Sequence, residues 1–145
     1  MKLILCLDEK NGISFNNRRQ SRDCCIISDI CKMLTDTGDG NFDPPFLYIS
    51  PSSKVLFEDS EIILKICDDP VKDCPRDGTC FLECPVSEDQ IPLIHQLVIY
   101  RWQCSYPADK YFSFPEEGFE MAYDKTIQGY SHETIIKEVY IKKEY

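Results

Sequence analysis

The sequence has no long hydrophobic run. The apolar stretch after Met1 and Lys2 ends at Asp8, which makes it too short for a secretion signal and far too short to span a bilayer. No other segment approaches a spanning length. We therefore expect a protein of the cytoplasm without a transmembrane segment.

The chain also lacks an excess of positive charge. It carries 16 basic and 25 acidic side chains, for a formal net charge of −9. Because nucleic acids and anionic membranes attract basic surfaces, we expect neither as a partner unless a local basic patch overrides the global field.

Metal-binding and catalytic motifs are missing as well. The two histidines, His95 and His132, are far apart, and none of the nine cysteines forms a C-x-x-C pair. An odd number of cysteines excludes a complete disulfide framework, so we expect reduced thiols that pack as small hydrophobic groups, and no metal site. The chain has no P-loop, no G-x-G-x-x-G and no Ser-His-Asp order.

The length and composition that remain are those of a globular protein. The 145 residues, 43% hydrophobic and 28% charged, predict a single domain over residues 1–145. Apolar runs and alternating patterns predict strands, listed in chain order as 2–7, 46–50, 62–66, 79–84, 97–103, 119–124 and 134–143. The last two form a hairpin in which Lys142 and Lys143 guard an edge.

Helices are predicted between several of these strands. A long one begins at Ser21 as its cap, with Asp23 in its first turn, and ends at Gly38 and Gly40. A short one covers 51–57, and another follows a capping box at 87–90. Segments 8–20 and 67–78 are predicted to be loops. The fold class is α/β, with a mixed, mainly parallel sheet and a C-terminal antiparallel hairpin.

The late part of the chain resembles dihydrofolate reductase. The likeness lies in Leu-Val-Ile-Tyr-Arg-Trp at 97–102, in Ala-Asp-Lys-Tyr-Phe at 108–112, and in the hairpin from Gly118 to Lys143. The first strand, Asn-Gly turn, polar loop and helix at the start match the same family. The resemblance implies a shortened dihydrofolate reductase-like domain.

The resemblance also locates the family's functional positions. The phosphate-binding Gly-Arg-x-Thr corresponds to 50–53, where Ser52 and Ser53 remain, and the Gly-Gly pair corresponds to Glu83-Cys84, where side chains obstruct a dinucleotide. Asp23 lies near the catalytic acid, and Tyr100 replaces the pocket threonine. If reductase chemistry survives, the cofactor is NADPH and Asp23 is catalytic.

The segment 11–23 also resembles short bacterial proteins, some of which carry a ribonuclease Z label. That label implies a metallo-hydrolase with a His-x-His-x-Asp-His cluster. The chain has no such cluster, so we exclude the nuclease interpretation.

The most pointed candidate site precedes the first long helix. Guanidinium and amide side chains are concentrated there, and these groups suit a phosphate or a carboxylate. The residues are Asn16, Arg18, Arg19 and Gln20. A solvated loop is the alternative. Asp23 is equally explained as a first-turn helix acid, and Ser52 and Ser53 as helix caps. Four aromatic residues could stack on a flat ring or fill the core: Tyr100, Trp102, Tyr106 and Tyr111. His132 is expected to be exposed.

Three functional hypotheses follow. The first is a non-catalytic module that binds a small anionic or nucleotide-like ligand, or a partner segment, through Asn16, Arg18, Arg19, Gln20, Ser52, Ser53 and Tyr100. The second is a divergent NADPH-dependent reductase of a pterin-like or other ring. The third is a structural or interaction protein whose cleft is filled by Tyr100 and its neighbours.

Overall fold

A computed structural model describes residues 1–35, 46–115 and 117–143. The main sheet consists of β1 Lys2–Leu7, β4 Phe46–Ile49, β5 Ile63–Ile66, β6 Thr79–Leu82, β7 Gln96–Trp102, β9 Phe119–Ile127 and β10 Ile135–Lys142. A small sheet is formed by β2 Gly12–Phe15, β3 Arg18–Arg19 and β8 Lys110–Tyr111.

The seven strands of the main sheet lie in the order β5-β4-β6-β1-β7-β10-β9. The pairs from β5 to β7 are parallel, whereas β10 runs antiparallel to both β7 and β9. This confirms the predicted α/β class with a mainly parallel sheet and an antiparallel hairpin. The carboxyl ends of β4, β6, β1 and β7 meet at one edge of the sheet.

The helices are α1 Cys24–Thr35, α2 Lys54–Phe57 and α3 Pro70–Asp73, with 3-10 turns at Pro51–Ser53 and Glu88–Leu93. Ser21 was the wrong cap for α1, because the Asp23 carboxylate accepts the hydrogen bond of the Cys25 amide, 2.9 Å away, and so caps the helix itself. The predicted stops Gly38 and Gly40 lie outside the described residues.

Two predicted loops contain regular structure. In 8–20, Asn16 and Asn17 both have positive φ, 52° and 60°, and form the two-residue turn of a hairpin between β2 and β3. Asparagine tolerates this left-handed backbone, and such turns match the twist of paired strands. In 67–78, the Asp69 side chain caps α3, whose first residue is Pro70.

The capping box at Ser87 is present, but Pro92 leaves only a 3-10 turn after it. The role assigned to Lys142 was wrong, because β10 lies between β7 and β9 and the sheet edges are β5 and β9. Lys142 therefore does not guard a sheet edge.

The central strands of the main sheet are covered on both faces. Side chains of α1, including Ile26 and Ile30, pack with Ile4, Val98 and Trp102 on one face. The other face packs against the small sheet, α3 and the Glu88–Leu93 turn. Because strands alternate their side chains, continuous apolar runs such as β1 bury both faces.

The nine cysteines all lie within the described residues and none is paired in a disulfide. Only Cys80 is fully buried, while six are half-buried and Cys24 and Cys84 are exposed. The expectation that the thiols pack as small hydrophobic groups holds for five of them: Cys80 lies in the core, and Cys6, Cys31, Cys74 and Cys104 pack against it. Within ranges 1–35, 46–115 and 117–143, no helix is long and apolar enough to cross a membrane.

Helix α1 is fastened to the sheet by a polar cluster. Asp29 of α1 accepts a hydrogen bond from the Tyr100 hydroxyl at 2.5 Å and pairs with the Lys137 ammonium at 2.8 Å. Tyr100 is fully buried and Lys137 is only 7% exposed. Because Lys137 stands opposite Tyr100 across β10 and β7, strand register brings both groups to one helical carboxylate.

We predict that Lys137→Met lowers the free energy of unfolding by about 2 kcal/mol. Removing one partner of a fully buried ion pair costs about 3–5 kcal/mol, and the loss is smaller here because the Asp29 side chain is 18% exposed.

Urea denaturation measures this change. Lys125→Met is the matched control, since Lys125 lies opposite Lys137 on β9 but is exposed; its change should stay within about 0.5 kcal/mol. Equal losses in the two variants would contradict the stabilising role of the cluster.

Candidate functional site

The candidate site lies at the carboxyl edge of the main sheet, where parallel α/β sheets place their ligand crevices. Five parts of the chain meet there: the end of β1, the end of β6, the Pro51–Ser53 turn, the β2–β3 hairpin and the start of α1. Each brings polar groups that follow directly after a buried strand or precede a helix.

Asp8 anchors the hairpin to the end of β1. It is 1% exposed, and its carboxylate accepts hydrogen bonds from the amides of Lys10, Gly12 and Tyr106 and from the Gln20 side chain, at 2.8 to 3.1 Å. Burial by itself raises the pKa of Asp8, but these hydrogen bonds outweigh it and lower the pKa below its ordinary value. The ionised Asp8 therefore positions Gln20 and the β2–β3 hairpin, in which β3 carries Arg18 and Arg19.

Arg19, Glu83 and Ser53 form an ionic cluster that we name the arginine clamp. The Arg19 guanidinium donates from Nε to Glu83 Oε2 at 2.7 Å and from Nη2 to Glu83 Oε1 at 3.0 Å. The Ser53 hydroxyl donates to the same Oε1 at 2.7 Å, and Arg19 Nη2 also reaches the Ser52 carbonyl at 2.9 Å. The hydrogen bond with Glu83 raises the pKa of Arg19 further.

Arg19 and Glu83 of the clamp line two spaces, which we name the inner cavity and the outer groove. The inner cavity measures only about 20 Å³, room for about one water molecule, and is lined by Cys6, Phe81 and Trp102 among others. The outer groove measures about 600 Å³. Its lining consists of Ser14, Asn17, Arg18, Arg19, Ser52, Glu83, Cys84 and Lys110.

Asp23 forms a second anchor, at the start of α1. Its carboxylate is 5% exposed and accepts hydrogen bonds from Cys25 of the helix and from the loop between β9 and β10, where the donors are the amides of Tyr130, Ser131 and His132 and the side chains of Ser131 and His132. Gly129 lies in that loop, and a Cβ there would collide with the His132 carbonyl.

This network keeps Asp23 ionised. Burial by itself raises the pKa of Asp23, but the hydrogen bonds from Tyr130, Cys25, His132 and Ser131 outweigh it and hold the pKa far below its usual range. A carboxylate that is ionised at neutral pH has no proton to donate. The catalytic role of Asp23 stays a prediction, and this ionisation weighs against it.

His132 is a functional-site neighbour that the sequence interpretation placed wrongly. Its side chain is only 14% exposed and stacks on Trp102 with ring centroids 4.3 Å apart. Its Nε2 lies 3.0 Å from the Ser21 hydroxyl and 2.9 Å from the Tyr106 hydroxyl. The expected exposure was wrong because the loop folds back onto the start of α1 through Asp23.

The structure brings only some predicted ligand-binding residues together. Arg18, Arg19 and Ser52 line the outer groove. Asn16 and Gln20 line a separate depression of about 620 Å³ with the same two arginines. Their ligand-binding roles stay predictions.

Two other predicted residues are engaged within the protein. Ser53 is fully buried and donates to Glu83, whereas Tyr100 points to Asp29 and does not line the inner cavity or the outer groove. The hypothesis that Tyr100 and its neighbours fill the cleft stays a prediction.

Lys110 is the site residue that the sequence interpretation missed. It comes from β8, far along the chain, and reaches the hairpin by donating a hydrogen bond from Nζ to Asn17 Oδ1 at 2.9 Å. The pairing of β8 with β2 brings it there, and no local pattern around Lys110 announces that pairing.

A fourth space, an opening of about 750 Å³, lies between α1 and α2. Its charged lining includes Asp59 and Glu61 as well as Arg22. In the described part of the chain, one group has the spacing of metal ligands: the potential ligand atoms of Asp23, Cys24 and Cys25 all lie within 4.8 Å of one another. The Asp23 oxygens, however, are already occupied by the hydrogen bonds described above.

We predict that Asp23→Asn lowers the free energy of unfolding at neutral pH by about 2–4 kcal/mol, because hydrogen bonds to a buried charge are lost. The folded pKa of Asp23 lies below the unfolded value of about 3.9, so its contribution is present above that pH and is lost as the pH falls toward the folded pKa. The difference between wild type and variant should shrink below about pH 4.

Denaturant melts at several pH values test this. Asp59→Asn, at an exposed aspartate, is the control and should change stability by less than about 0.5 kcal/mol. A deficit in Asp23→Asn that persists unchanged into acid would show that its cause is not the charge.

The comparisons with known proteins support the architecture alone. No protein-family model matches the sequence, and no curated protein matches it significantly. Among solved structures, the chain is similar to the dihydrofolate reductase from Enterococcus faecalis complexed with NADP(H) and RAB-propyl. The TM-score is 0.64 at 9% sequence identity, with 99% of this chain and 96% of that chain covered. The chain therefore has a divergent dihydrofolate reductase-like fold.

Proposed function

We propose that this protein binds a small anionic ligand in the outer groove and does not catalyse a reductase reaction. The observation that carries the proposal is the charge of that groove. Arg18, Arg19 and Lys110 converge there with Glu83 as the one carboxylate of the lining, in a chain whose net charge is −9. Such a local excess of cations attracts an anion within a Debye length of about 10 Å.

The donors in the groove suit a phosphate or a carboxylate. Arginine forks bind such groups with paired hydrogen bonds, and Lys110 adds a point charge. The volume of about 600 Å³ lies in the range of small-molecule sites. The similar solved structure is a complex with NADP(H), so nucleotides are the first ligands to test, beside sugar phosphates and carboxylates.

Three features weigh against reductase chemistry. Asp23 is held ionised, so the carboxylate nearest to the family's catalytic acid cannot protonate a substrate. The Glu83 side chain stands where the resemblance expects glycine to admit a dinucleotide. The inner cavity, at about 20 Å³, has no room for a pterin-like ring, so a ring would have to enter from the opening between α1 and α2 that Asp23 also lines.

We predict that the wild-type protein does not oxidise NADPH in the presence of a dihydropterin or flavin. The expected result is a constant NADPH absorbance at millimolar cofactor, with the same trace for wild type and Asp23→Asn. Steady NADPH consumption that Asp23→Asn abolishes would restore the reductase hypothesis.

We predict that Arg18→Ala and Lys110→Ala each weaken anion binding about tenfold or more. A hydrogen bond to a charged group contributes about 1.5–3 kcal/mol, and 1.4 kcal/mol corresponds to a factor of ten. A thermal-shift screen of nucleotides, sugar phosphates, pterins and dicarboxylates identifies the ligand, and calorimetry of its best member measures the loss.

Lys125→Ala removes an exposed cation on β9, away from the groove, and serves as the control. It should leave the affinity unchanged. Loss of affinity in Lys125→Ala equal to that in Arg18→Ala would show that net charge, rather than the groove, governs binding. Absence of any ligand-induced shift in the whole screen would refute anion binding.

A further inference from the structure

We propose that the arginine clamp is a carboxylate-binding site which the chain occupies with its own Glu83. The inference rests on the proposed function, because it names the ligand group and the internal competitor at the same groove. In this arrangement the carboxylate of a ligand replaces that of Glu83 on Arg19 and Ser53, and the clamp opens.

The contacts of Glu83 are those of a bound carboxylate. Both of its oxygens face the Arg19 fork, at 2.7 and 3.0 Å, and Oε1 also accepts from the Ser53 hydroxyl at 2.7 Å. Two parallel N–H···O bonds to a planar group are the arrangement in which arginine recognises carboxylates most specifically. The three donors therefore form a preorganised anion site.

The donors are supported from below. Ser53 is fully buried, so its hydroxyl direction is set by packing, and Arg19 Nη2 is fixed by the Ser52 carbonyl at 2.9 Å. If Glu83 leaves, these groups keep their geometry and lose their partner. An unpaired donor set of this kind has a strong free-energy gain from any carboxylate that enters.

The occupant itself is exchangeable. The Arg19 and Glu83 side chains are 28% and 16% exposed, so water reaches both and the net stabilisation by the pair is modest. Glu83 is the first residue after β6, where the chain leaves the sheet, whereas Arg19 belongs to the two-residue strand β3. Rotation of the Glu83 side chain into the groove needs no change in the sheet.

Exchange has a structural consequence. Arg19 and Glu83 line both the inner cavity and the outer groove, so their displacement changes the lining of both spaces. Gln20 lines the inner cavity, and its Oε1 is a buried acceptor with no partner among the described residues. A ligand that carries a hydrogen-bond donor beside its carboxylate could pair with that acceptor once Glu83 is displaced.

The test is chemical rescue of Glu83→Ala by acetate. The variant removes the internal carboxylate, so it should melt at a lower temperature than wild type, and acetate should raise its melting temperature with saturation in the millimolar range. Mass action requires such a rise when a ligand binds only the folded state. Wild type should show no saturable rise, since Glu83 competes within the chain.

Controls separate site binding from general salt effects. All measurements are made at constant ionic strength against chloride. Glu58→Ala removes an exposed carboxylate and the same unit of charge, and it should respond to acetate as wild type does. In the double variant Arg19→Ala with Glu83→Ala, rescue should be lost, because the fork that holds acetate is gone.

A second readout follows the hairpin directly. Trypsin cleaves after arginine, so removal of Glu83 should speed cleavage at Arg18 and Arg19 several-fold, and acetate should slow it again. If Glu83→Ala does not fold, Glu83→Gln provides the same comparison, with weaker rescue because a neutral amide still fills the site.

Two results would overturn the inference: a folded Glu83→Ala without acetate rescue, or equal rescue in Glu58→Ala and in the double variant. Its failure is distinct from failure of the proposed function. Wild type that binds a groove ligand, with no rescue in Glu83→Ala, refutes the internal competitor alone. If acetate rescues Glu83→Ala but no ligand in the screen shifts the melting temperature of wild type, the carboxylate site is supported. Ligand binding by the wild-type protein is then refuted.

Discussion

The candidate site depends on one buried carboxylate at the end of the central parallel strand. Asp8 follows the last residue of β1 and lies in the crevice. Its carboxylate accepts hydrogen bonds from the backbone amides of Gly12 and Tyr106 and from the Gln20 side chain. These bonds offset the desolvation of its charge, which is why a carboxylate can remain ionised while only 1% exposed. The β2–β3 hairpin, and with it Arg18 and Arg19, is held above the sheet as a consequence.

The second buried carboxylate shows how hydrogen bonds outweigh the effect of burial on a pKa. A general acid in a cleft needs an environment that favours its protonated form. Asp23 has burial, which acts in that direction, but the loop between β9 and β10 supplies hydrogen-bond donors that overcome it. The residue consequently joins α1 to the hairpin loop, and stacking of His132 on Trp102 extends the connection to the end of β7.

The fold was predictable because its signals are local. The apolar run of β1, the alternation in β9 and the periodicity of α1 each follow from the geometry of one element, and they were confirmed. The β2–β3 hairpin was missed, although Asn16-Asn17 between two short strands is a turn signal of the same local kind. Helix α3 was missed although Asp69 followed by Pro70 is a start signal.

The site was less predictable, because its decisive contacts join residues remote in the chain. By itself, the sequence determined the α/β class, the mainly parallel sheet with its closing hairpin, and a cluster of arginines before α1. Only the tertiary structure decided that Arg19 is paired with Glu83, that Lys110 joins Arg18, and that His132 packs on Trp102. The physical reason is that charge pairing and pKa depend on the distance between groups and on their burial. Strand register sets that distance and burial for segments far apart in the chain, and local sequence patterns do not reveal the register.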